Sequence, residues 1–102
     1  MTKVTFLEDT ASEVIAQVKG ELDSSAVEDF NEQLSPILNN AGRQITLDFA
    51  GLEFISSAGL RSLLLINKKA EAANGHVTIT GVSTEIKQVF SLTGFDTFMT
   101  IQ

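Results

Sequence analysis

The chain contains no cysteine, which excludes disulfide staples, thiol nucleophiles and zinc–thiolate centres and suits a cytoplasmic protein. It holds one histidine, His76, beside the turn-forming Asn74-Gly75, where a lone imidazole is expected in solvent rather than in acid–base work. Basic residues are also few. Seven Lys and Arg face 13 Asp and Glu, a formal charge of −6, and that balance opposes binding nucleic acid or an anionic membrane through a general field. No hydrophobic run approaches a membrane span, and the opening Met1-Thr2-Lys3-Val4-Thr5-Phe6-Leu7-Glu8-Asp9 resembles no signal peptide. A Gly-Lys-Ser/Thr phosphate loop, a paired-histidine metal motif and a Gly-x-Ser-x-Gly elbow are all missing. No metal, cofactor, small-molecule substrate or catalytic residue is therefore expected, and a protein partner is the remaining class.

What is there reads as one domain over residues 1–102, with an apolar fraction of 43% that is sufficient for a core. Lys3 to Leu7 and Glu13 to Lys19 alternate apolar and polar residues, which predicts a β-hairpin ended by Gly20. Ser25-Ala26-Val27-Glu28 has the form of a capping box. It opens a helix with Val27, Phe30, Leu34, Ile37 and Ala41 on one stripe, which Pro36 should kink or shorten near Leu34. Gln44 to Phe49 reads as a strand, Ala50-Gly51-Leu52-Glu53 as a loop, and Ser57 to about Asn74 as a second helix closed by Asn74-Gly75. A strand around Val77 and Ile79 follows, then a helix capped by Ser83 and ended by Gly94, then a last strand from Phe98 to Ile101. The order β-β-α-β-α-β-α-β predicts an α/β fold, a mixed sheet with an N-terminal hairpin and parallel crossovers.

Chemistry concentrates where the third strand meets the second helix, at Ser56, Ser57, Ala58 and Gly59. Sites in α/β sheets favour the crevice beyond the carboxyl ends of strands. A phosphate on Ser57 would meet unpaired backbone N–H groups and the positive end of a helix dipole. The plain alternative is that one of the serines only caps the helix. Gly59 leaves the first turn without a bulky side chain, so another backbone could approach closely. The loop Gly20-Glu21-Leu22-Asp23-Ser24-Ser25 should lie near Ser57. Glu21 and Asp23 could accept from its hydroxyl or repel a phosphoserine, or could be an ordinary acidic turn. On the second helix Leu60, Leu63, Leu64, Ile66, Asn67 and Ala70 share one face, while Leu65 falls among Arg61, Lys68 and Lys69. An exposed leucine there is either a partner contact or ordinary surface.

Phe54-Ile55-Ser56-Ser57-Ala58-Gly59-Leu60, with Leu47-Asp48-Phe49, Gly20-Glu21-Leu22-Asp23 and the Ser-Leu-Thr-Gly-Phe stretch at 91–95, resembles the STAS domain family. The resemblance is closest to its free-standing anti-sigma factor antagonists. It implies a bacterial phosphoprotein that works by partner switching. The unphosphorylated form of such a protein binds an anti-sigma factor that is also a serine kinase, which releases the sigma factor. Phosphorylation switches the binding off, and a PP2C-type phosphatase reverses it. The family's acceptor serine follows an aspartate and precedes Ser or Thr and then Gly. On this chain the acceptor position is Ser57, the aspartate position holds Ser56, and the next position holds Ala58. The expected partner surface is Glu21, Asp23, Ser56, Ser57, Ala58, Gly59, Arg61, Leu65 and Lys68. The alternative within the family is a STAS binding or scaffold subunit of a transporter or lipid-trafficking complex that does not switch.

Overall fold

A computed structural model describes residues 2–97 and 99–102. The hairpin forms as expected but is longer. Strands β1 (Thr2–Asp9) and β2 (Glu13–Leu22) pair antiparallel, with Val4 opposite Val18. Gly20 does not end β2. It takes φ 98°, open to a residue without a Cβ, and the strand continues through Glu21 and Leu22, paired with Phe54 and Ile55. The capping box does not form either. Helix α1 (Val27–Gln33) has Ala26 at its N-cap without a side-chain bond, and Asp23 organises the turn before it. Pro36 divides the helical segment as its missing donor requires. After Leu34 a separate turn, α2 (Ser35–Leu38), carries the proline in its first positions.

Strand β3 (Gln44–Ile55) is continuous where a loop was expected over Ala50 to Glu53. Against β2 its register slips by one residue after Asp48 and again after Leu52. Two bulges thus change the spacing of its core residues from Ile45, Leu47, Phe49 to Phe49, Leu52, Ile55. A three-residue spacing does not look like a strand in the sequence. Helix α3 (Ser57–Ala72) follows, and Gly75 N–H donates to Ala70 C=O at 2.7 Å and Asn74 N–H to Glu71 C=O at 3.1 Å. With Asn74 at φ 65°, this is the paired closure of a Schellman end. Strand β4 (His76–Thr80) leads to α4 (Thr84–Thr93), which is capped by Ser83 and ended by Gly94 as expected. A short 3-10 helix, Phe95–Thr97, precedes β5 (Thr100–Ile101). Phe98, expected to begin that strand, lies outside the described residues.

The strands lie in chain order, β1-β2-β3-β4-β5, antiparallel at the hairpin and parallel beyond it. The parallel crossovers always step in one direction along the sheet, and the general right-handed preference of such connections then puts the described helices on one face. The core is accordingly single. Val14, Ala16, Val18, Ile45, Leu47, Phe49, Val77 and Ile79 receive Phe30, Leu34, Ile37, Leu63, Ile66, Ala70, Ile86 and Phe90. On the other face Ile15, Gln17, Thr46, Asp48, Thr78 and Thr80 are half-buried, shielded by their neighbours but not by a helix layer.

The opposite end of the domain is held by Arg43, whose side chain is 3% exposed. Its Nε donates to Asn40 C=O at 2.8 Å, its Nη1 to Thr10 C=O at 2.9 Å and to the Asp9 carboxylate, and its Nη2 to Pro36 C=O at 2.8 Å. One planar fork therefore ties the hairpin tip to the end of α2, a geometry that a lysine ammonium cannot span. Arg43→Lys should lower stability by about 1–3 kcal/mol because it strands carbonyl groups. Urea unfolding would measure this, and an unchanged midpoint would contradict it.

Candidate functional site

The carboxyl ends of β2 and β3 meet at one hydroxyl. Ser56 N–H and Ser56 Oγ both donate to Leu22 C=O, at 2.9 Å each, and Ser56 Oγ accepts from Gly59 N–H at 3.1 Å. The same side chain thus closes the gap between two strand ends and caps α3. The capping alternative holds for Ser56. Asp and Ser are about equally good at an N-cap, so the capping geometry accommodates serine where the family pattern has aspartate.

Ser57 is the first residue of α3 and is exposed. Its hydroxyl makes no hydrogen bond among the described residues, while the neighbouring Ser56 hydroxyl is committed on both its donor and its acceptor side. Leu60 N–H donates to Ser56 C=O at 2.9 Å and Gly59 N–H to Ser56 Oγ. The amides of Ser57 and Ala58, ahead of both, are left facing the helix start. Around Ser57 lie N–H groups without a partner among the described residues, and the positive end of a 16-residue helix.

Gly59 serves the interior. It is buried, and a Cβ added there would come within 2.9 Å of Ile55 Cγ1 and of Leu22 Cγ. The missing side chain lets α3 seat on the ends of β2 and β3; the open approach for a foreign backbone that the sequence suggested is not present. Ala58 is half-exposed beside Ser57.

The acidic loop is adjacent to Ser57 but hydrogen-bonded elsewhere. Register sets Glu21 opposite Phe54 and Leu22 opposite Ile55, so Asp23 follows directly from the residue that Ser56 grips. Asp23 Oδ1 accepts from Ser25 Oγ at 2.7 Å and from Ala26 N–H at 3.0 Å. Neither Glu21 nor Asp23 accepts from Ser57 among the described residues, so the hydrogen-bonding alternative is not realised. The Ser25 hydroxyl above all, against the opposing effect of burial and with help from the Ala26 amide, holds the Asp23 carboxyl below its ordinary range. A lowered value means that the tie stabilises the loop at neutral pH and is lost only as pH falls through that lowered value.

On α3 the helical phase is as read. Leu60, Leu63, Ile66, Asn67 and Ala70 are buried and Leu64 is half-buried, while Arg61, Lys68 and Lys69 are exposed around Leu65, itself 48% exposed. The sequence reading missed a second exposed apolar side chain beside the serines, Phe54, at 49%. The bulges of β3 turn it away from the core, and the only signal for them was Ala50-Gly51. A cleft lined by Val82, Lys87, Phe90, Ser91, Asp96 and Ile101 opens between α4 and β5, and none of these residues belongs to the serine or acidic loops.

The arrangement defines a class: a small two-layer α/β domain that presents at a helix start a serine hydroxyl with no hydrogen-bond partner among the described residues. The family described as "Mlab, STAS domain" matches residues 6–101. BtrV of Bordetella bronchiseptica, a candidate anti-sigma factor antagonist, is 30% identical over 82 residues, covering 80% of this chain and 71% of its own. The anti-sigma factor antagonist SpoIIAA in its unphosphorylated form matches with a TM-score of 0.80 at 26% identity, over 98% of this chain and 88% of that one. The phosphorylated form of the Bacillus cell fate determinant SpoIIAA matches with a TM-score of 0.72 at 25% identity, over 98% of this chain and 91% of that one. This chain belongs to the STAS domain family.

If Ser56 acts as the cap, its replacements should separate by chemistry. Ser56→Ala should lose about 0.5–2 kcal/mol, while Ser56→Thr, whose hydroxyl can still accept from Gly59 N–H and donate to Leu22 C=O, should retain most of that stability. Thermal unfolding of the two variants checks this, and equal losses would remove the capping role.

Proposed function

We propose that the chain is an anti-sigma factor antagonist that acts as a phosphorylatable switch, a binding protein rather than an enzyme. Its unmodified form binds an anti-sigma factor that is also a serine kinase, and the sigma factor is released. That kinase then phosphorylates Ser57 and ends the binding, and a PP2C-type phosphatase restores it. The observation that carries this reading is the contrast between two adjacent serines. The Ser56 hydroxyl is occupied at 2.9 Å and 3.1 Å, and the exposed Ser57 hydroxyl is free to enter a kinase.

The physics of the switch is local. A phosphate adds about −1.5 to −2 charge, tolerated by the start of α3 and close to the loop that carries Glu21 and Asp23. A partner pressed against this corner would meet repulsion, bulk and a desolvation cost, while the fold persists. The likeness of this chain to SpoIIAA in both its unphosphorylated and its phosphorylated forms supports a switch without refolding. Arg61, Leu65 and Lys68, with Ala58 near the helix start, extend the surface along α3 and favour a partner whose contact patch is apolar with an acidic rim. Gly59 contributes by seating the helix.

A second reading is a STAS subunit that binds constitutively within a transporter or lipid-trafficking complex. It is favoured by one observation, the replacement of the family's aspartate by Ser56. Phosphorylation separates the two. With its cognate kinase and ATP the protein should gain one phosphate, at Ser57 by mass spectrometry, and Ser57→Ala should bind the anti-sigma factor and gain none. Calorimetry should show at least a tenfold weaker complex for the phosphorylated form, a difference of only about 1.4 kcal/mol. Equal affinity for both forms would end the switching reading. Leu65→Glu should weaken the same complex with its circular dichroism unchanged, and full binding by this variant would return Leu65 to ordinary surface.

A further inference from the structure

β1 is the outer strand of the sheet, eight residues long, and such an edge is a template for another chain unless something blocks it. Here a side chain does so. Gln33, the last residue of α1, accepts from Val4 N–H through Oε1 at 2.7 Å and donates from Nε2 to Thr2 C=O at 3.0 Å. One carboxamide thereby supplies the donor and the acceptor that one residue of a parallel strand would offer opposite Lys3. Its orientation is held from behind, because Nε2 also donates to Asp29 Oδ2 at 2.7 Å, one helical turn earlier. Further along, the register slips between Phe6 and Glu8, leaving Leu7 extra and exposed, and the strand ends on Glu8 and Asp9. A bulge and charges are recognised ways of spoiling an edge. The stretch from Thr2 to Phe6 has neither, apart from the outward-lying Lys3, and Gln33 sits on that stretch.

We propose that Gln33 is an edge guard, whose carboxamide keeps β1 closed against strand addition by a second copy of this chain. A second copy fits because antiparallel pairing of the same strand about a twofold axis is self-complementary, and Val4-Thr5-Phe6-Leu7 carries no charge to oppose it. The formal charge of −6 on each copy resists the pairing, and salt screens that resistance.

The test uses the full chain with Gln33→Ala. Amide hydrogen exchange at Val4 in dilute solution should quicken by about tenfold or more, since its acceptor is gone. Sedimentation velocity should reveal a dimer that grows with protein concentration and with salt, while the parent chain stays monomeric. If Gln33→Ala does not fold, Gln33→Leu keeps the bulk of the side chain but offers neither an acceptor to Val4 nor a donor to Thr2, and is read in the same way. A folded variant that remains monomeric overturns the proposal, even if it is less stable, as does a parent chain already paired through β1.

Discussion

The hydroxyl of Ser56 lies between two elements that have no covalent reason to meet. On one side is the carbonyl of Leu22, where β2 stops, and on the other the amide of Gly59, inside the first turn of α3. A serine satisfies both only because its oxygen donates once and accepts at the same time. That single atom sets where α3 begins, and the start of α3 sets which serine faces outward. It also brings the acidic loop after β2 alongside the exposed Ser57. The site is thus a consequence of a backbone-satisfaction problem at the sheet's carboxyl end. Gly59 belongs to the same solution, since a side chain there would run into Leu22 and Ile55.

The one-sided helix layer divides the labour on α3. Its buried stripe completes the core, and the side bearing Arg61, Leu65 and Lys68 faces solvent next to Ser57. A modification at the helix start can alter what meets this outer side without disturbing the packing behind it, because buried and exposed positions are separated around the helix. The other end of the domain is built for permanence. There Arg43 gathers the hairpin tip and the end of α2 around one buried guanidinium.

Much of this was legible in the sequence because it depends on local spacing. The period of α3 separated Leu65 from the core stripe, Pro36 split the first helical segment, and Ser83 and Gly94 bounded α4. The errors in the strands share one cause. Gly20 and Ala50-Gly51 look like punctuation, yet both lie inside strands whose register slips to keep pairing. A bulge is decided by the neighbouring strand, and one sequence does not display its neighbour. The same reason hid the exposure of Phe54 and the position of Gln33 against β1.

The sequence by itself determined the succession of strands and helices, the core stripe of each helix, and the residue types at the serine loop. Those follow from periodicity, capping preference and turn chemistry within a few residues of one another. Only the tertiary structure decided which serine is occupied and which is free. That choice rests on Leu22, far away in the chain, arriving with a carbonyl that accepts from both Ser56 N–H and Ser56 Oγ at 2.9 Å. It also decided that Gly59 faces inward and that Asp23 is bonded to its own loop. Each of these is a competition for a hydrogen bond or for space between segments that the linear chain keeps apart.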